Sequence, residues 1–202
     1  MKAFRTVPAV CIGLVVAAVL SGCVSTPERA GTSLAMSAEA AAALAEKTEV
    51  ERLIALGSPS SLEEVVRRLG DASILPPADA VSYGWIAYEM ARLVYPEMAG
   101  DLPPSMQAPP DTPLVMAFLD ARNGKVATPS TTAGMLFELF PALAVFRLRT
   151  AAANHAALTA MERFDRFGVP SAAGDLARGT SLERAGDTEG ALLAYTRAER
   201  NA

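Results

Sequence analysis

Beyond residue 33, prolines and glycines punctuate this chain at the spacing of helices. Breaks fall at Gly57-Ser58-Pro59, Gly70, Pro76-Pro77, Pro96, Asn123-Gly124, Thr128-Pro129, Gly168-Val169-Pro170 and Gly186-Asp187. Ala, Leu, Glu and Arg dominate between the breaks, all strong helix formers. The alternating Val/Ile/Thr runs that fit a pleated sheet are scarce. The pattern predicts an all-α body of helical hairpins. Both cysteines, Cys11 and Cys23, sit near the N-terminus. No disulfide is therefore available to the chain that follows, and packing must hold it. With 51% hydrophobic residues the supply is adequate.

Periodicity and caps place the elements. A first helix is expected over 34–56, its later apolar stripe formed by Leu44, Val50, Leu53, Ile54 and Leu56, with Gly57 as its stop. Ser58-Pro59-Ser60-Ser61 opens a second, with Glu63 and Glu64 read as first-turn acids suited to the helix dipole. A third starts at Pro76-Pro77 and ends before Pro96. It carries Tyr83, Trp85, Ile86, Tyr88, Met90, Leu93, Val94 and Tyr95, and reads as the central core helix. Residues 97–113 hold five prolines and read as an extended excursion. A fourth helix is expected over 113–122. Another carries Met135 to Phe140 and is interrupted at Pro141, with an apolar continuation from Leu143 to Ala153. One more covers 154–167.

The N-terminus has a different character. Lys2 and Arg5 precede an apolar stretch from Val7 to Leu20, shorter than the ~20 residues that span a bilayer. Its flanks suit a secretory signal. Leu20-Ser21-Gly22-Cys23 follows directly and resembles the lipobox of bacterial lipoprotein precursors. The resemblance implies a signal peptide over 1–22, cleavage after Gly22, and a diacylglyceryl group on the Cys23 thiol. Two or three acyl chains suffice for stable anchoring where one does not. Residues 23–33 then form a lipidated, flexible tether. Val24 stands where an aspartate would favour the inner membrane, which points to the periplasmic face of the outer membrane. No cofactor is expected beyond the covalent lipid.

The C-terminal segment 171–202 resembles a tetratricopeptide repeat (TPR). Gly179 takes the glycine position of the first helix and Leu182 the aromatic one. Gly186-Asp187 makes the turn. Ala191 and Tyr195 match the alanine–aromatic pair of the second helix, and Ala198 is a further small contact. Asp175 and Arg178 depart from the pattern. The resemblance implies a TPR-like hairpin ending an α-solenoid, and a binding face near Leu176, Thr180, Glu183 and Arg184. Arrays generally need ~3 repeats. Either the helices of 34–170 act as degenerate repeats, or the array continues beyond residue 202. The layout as a whole is similar to repeat-bearing lipoproteins of spirochaetes.

Chemistry is sparsely encoded. His155 is the only histidine, so the usual zinc ligand sets cannot be assembled. No nucleophile elbow, P-loop or G-x-G-x-x-G occurs. Glu63 and Glu64 are adjacent on a helix and point in different directions. Neither an enzyme nor a metal site is expected. The net charge is −4, and with residues 1–22 removed sixteen basic residues face twenty-two acidic ones, for −6. That balance carries no nucleic-acid footprint. Two functions fit: a membrane-anchored scaffold for a protein or peptide partner, and a small-ligand binder akin to helical-repeat lipoproteins that accompany TRAP-type transporters. In the second, the aromatic helix and the proline-rich excursion would line an apolar pocket.

Overall fold

Short polar side chains set the helix boundaries by capping free backbone N–H groups. In the computed structural model, which describes residues 37–70, 74–122 and 133–202, Ser37 accepts the Ala40 N–H at 3.1 Å and opens α1 (Ala38–Leu56). Gly57, at φ 60°, closes it by donating its N–H to the Leu53 carbonyl. Ser58 and Ser61 then cap each other reciprocally. Each backbone N–H meets the other's hydroxyl, at 3.0 and 3.2 Å, and α2 (Pro59–Gly70) follows. Glu63 and Glu64 fall beyond its first turn. They are not the cap-region acids expected, and Glu64 instead binds Arg67 and Arg68. The signal segment, Cys23, the 23–33 tether, Asn123-Gly124 and Thr128-Pro129-Ser130 lie outside the described residues.

Proline at the first helical position starts α3 (Pro77–Val94), and Pro96 forces its end. The excursion beyond is less extended than its prolines suggest. It contains a single helical turn, α4 (Pro96–Ala99), and a 3₁₀ turn at Pro104–Met106. It also folds back onto α3. The Met106 side chain rests on Gly84, where a Cβ would lie 3.2 Å from Cγ, and Thr112 bonds Ser82 at 2.7 Å.

Helix α5 (Pro113–Arg122) and helix α6 (Gly134–Leu143) follow. Helix α6 passes through Pro141 instead of stopping there. Proline removes only one backbone bond, and the helix has buried Leu136, Phe137, Leu139 and Phe140 before reaching it. It gives way to a 3₁₀ turn at Ala144–Phe146. The expected continuation to Ala153 is absent, because Thr150 accepts the Ala153 N–H and starts α7 (Ala151–Phe164). A 3₁₀ turn and Gly168, at φ 64°, end that segment. Ser171 caps α8 (Ala172–Arg184), and Asp187 caps α9 (Thr188–Arg200).

No strand occurs among the described residues, and the all-α expectation holds. Tyr83, Ile86 and Met90 of α3 lie wholly inside one core with Ile54, Leu62, Phe118, Leu136, Leu139, Leu143, Met161 and Phe164. Each such side chain contributes about 1.5–3 kcal/mol through burial. Phe118 links the layers, edge-on to Trp85 at 5.7 Å and to Phe140 at 4.3 Å. The α8–α9 hairpin shares this core. Helix α8 packs on α1, α6 and α7 and contributes Ala173 and Ala177. No helix among the described residues is long and apolar enough to cross a membrane.

Candidate functional site

Two places in the fold hold functional potential: the C-terminal hairpin, and a hollow where α3, α5 and α6 end.

In the hairpin, Gly179 brings the helices together. The Tyr195 ring of α9 lies directly on it, and a Cβ there would come within 2.5 Å of Cε1. The ring therefore fills space inside the hairpin. Ala191, Ala194 and Ala198 make the rest of the seam and are buried. The Tyr195 hydroxyl donates to Glu183 at 2.7 Å, and burial together with this acceptor raises the phenol above its ordinary pKa. Leu182 is half-buried. Asp175, which replaces the large residue of the repeat pattern, is 8% exposed and accepts from Arg197 and Asn201. Arg178 pairs with Asp165.

The four expected binding-face residues divide. Leu176 and Thr180 are half-buried, while Glu183 and Arg184 are exposed. Glu183 is engaged by Tyr195. Arg184 reaches out of the hairpin and donates to the Val145 carbonyl at 2.8 Å and the Leu148 carbonyl at 3.3 Å. It is a strut more than a free cation, and it fixes the segment that walls the hollow.

The hollow has a volume of about 360 Å³ and is lined by Leu93, Arg122, Phe140, Ala144, Arg147 and Leu148. That lies within the range of small-molecule sites. Its walls are mostly apolar, with two guanidinium groups at the edge. Arg122 gives one N–H to Glu89 at 2.7 Å, and Glu89, 5% exposed, also takes Arg92. Arg147 is exposed at the rim. The aromatic residues of α3 do not line this space. Tyr83 and Trp85 are spent in the core, and of α3 only Leu93 faces the hollow. Sequence reasoning missed the site because it is assembled from three helix ends and the turn after α6, with no motif in any of them.

A scan against protein-family models, a search of the curated proteins and a search of the solved structures each found no match to this chain.

Among the described residues no group of three or more His, Cys, Asp or Glu is placed to hold a metal ion. His155 is exposed on α7.

Proposed function

We propose that this protein is a lipid-anchored lipoprotein of the bacterial cell envelope, whose C-terminal hairpin acts as a TPR-type scaffold for a protein or peptide partner. Anchoring rests on the apolar run that ends in Leu20-Ser21-Gly22-Cys23. The scaffold rests on one observation above the rest: α8 and α9 cross through Gly179 under the Tyr195 ring, which is the close approach a glycine at that repeat position provides. Stacked hairpins of this kind present elongated binding surfaces.

Detergent-phase partitioning tests the anchor. Cys23→Ala moves the protein to the aqueous phase or leaves an uncleaved precursor, and partitioning equal to wild type contradicts the proposal. Glu183→Lys tests the face. It reduces partner recovery from envelope extracts, while Glu189→Lys on the neighbouring helix does not. Equal recovery with both variants tells against this face.

A second reading, a small-ligand binder of the kind that accompanies TRAP-type transporters, is favoured by the hollow at the ends of α3, α5 and α6.

A further inference from the structure

Among the described residues, only one side of α9 is covered. Ala191, Ala194 and Ala198 recur every three or four residues and are buried in the hairpin seam. The opposite stripe of the helix carries Glu189, Leu192, Leu193, Thr196 and Arg200, and all five are exposed. Leu192 and Leu193, at 66% and 58% exposure, are the most exposed large apolar side chains among the described residues. We infer that this stripe is a homodimer interface, in which α9 packs antiparallel on α9 of a second copy of this chain. The inference goes beyond the scaffold reading and does not depend on it.

The order of charges along the stripe selects that occupant. An acid, Glu189, stands at its start and a base, Arg200, at its end. They lie about 16 Å apart along the helix axis, at the helical rise of about 1.5 Å per residue. Within one chain the two cannot meet. A two-fold axis passing midway between Ala194 and Tyr195 sets Glu189 opposite Arg200 of the second copy, and Arg200 opposite its Glu189. The same axis sets Leu193 against Thr196 of the second copy, and Leu192 against the carbon stem of its Arg197. A parallel pair would instead stack acid on acid and base on base. Antiparallel packing also places each positive helix end beside a negative one. Because the same patch serves both copies, the contact closes at two and does not grow into a filament. One face of a 13-residue helix is smaller than a standard interface, so the dimer is a weak one. The leucines supply its attraction, and the end charges fix its direction.

The experiment is sedimentation equilibrium of the full-length protein in density-matched detergent, over a range of protein concentrations. The wild type moves from one chain to two as concentration rises. Glu189→Arg and Arg200→Glu each bring like charges together at both ends of the pair, and each weakens the dimer at least about tenfold. An equal mixture of these two variants recovers it, because opposite charges then meet at both ends. Leu193→Asp abolishes the dimer and is not rescued by mixing with either. All three positions are exposed, and an unchanged circular dichroism spectrum verifies that each variant keeps the fold. A wild type that stays single at every concentration overturns the interface. Single charge variants that pair as the wild type does, or a mixture of them that stays monomeric, overturn the antiparallel arrangement.

Discussion

At the residue scale, one polar pair inside the core matters most. Glu51 of α1 is fully buried and accepts from the hydroxyl of Tyr83, itself fully buried on α3. Lys47 passes 6.0 Å from the Tyr83 ring centroid. Tyr83→Phe removes a donor from a carboxylate that water does not reach, and we expect a loss of about 1–3 kcal/mol in chemical denaturation. The phenol also makes stability depend on pH. Burial first, and the bond to Glu51 second, raise its pKa above the ordinary value of about 10. A proton held more tightly in the folded state lends stability that is complete below that ordinary value and drains as pH climbs beyond it. Wild-type melting temperature therefore falls more steeply above about pH 10 than that of Tyr83→Phe. Parallel curves for the two proteins would count against this pair. Tyr83 was legible in the sequence as a core residue. Its partner was not, because Glu51 sits among ordinary helix-surface charges, and only the packing of α1 on α3 turns it inward.

At the element scale, helices were legible wherever a cap or a proline ended them, and uncertain where an ending depended on tertiary contact. Gly57 is the plain case. Its positive φ is a helix-ending signal, and a Cβ there would also lie 2.7 Å from that of Ala173. Pro141 is the opposite case. Its local effect argued for a break, but the phenylalanine and leucine side chains of α6 bind into the core on both sides of it and carry the helix through. The proline-rich excursion read as open chain because its attachment, Met106 on Gly84, joins residues far apart in sequence. The hairpin was the most readable element, and Gly179 tests it. Gly179→Ala forces a methyl group against the Tyr195 ring, at about 1–3 kcal/mol for an overpacked contact, against at most about 1 kcal/mol gained in helix propensity. The net effect is destabilising. In a Tyr195→Ala background the same change becomes neutral or stabilising, and thermal unfolding of the four proteins measures the coupling. An equal cost in both backgrounds would show that the close contact is not why glycine stands there.

At the scale of the whole molecule, the hairpin and the remaining helices form a single packing unit without a disulfide, and the hollow lies beside their junction. The expected boundary near residue 170 marks a break in the chain but not in the core, since Ala173 and Ala177 of α8 pack with Val145 and the α1 side chains in one cluster. Arg184 ties the two parts further by bonding the carbonyls of Val145 and Leu148. As sequence, it read as a free charge on a binding face. As structure, it joins the hairpin to the wall of the hollow, so an event on one can be felt at the other. Arg184→Ala tests the tie. Amide exchange accelerates across 144–148 and in the last turn of α8, while α1 and α3 keep their protection. Stability falls by about 1 kcal/mol. Arg178→Ala, which removes the exposed pair with Asp165, serves as the control. It leaves exchange across 144–148 at wild-type values. If Arg184→Ala does the same, the wall stands by its own 3₁₀ turn and the two functional places are mechanically independent.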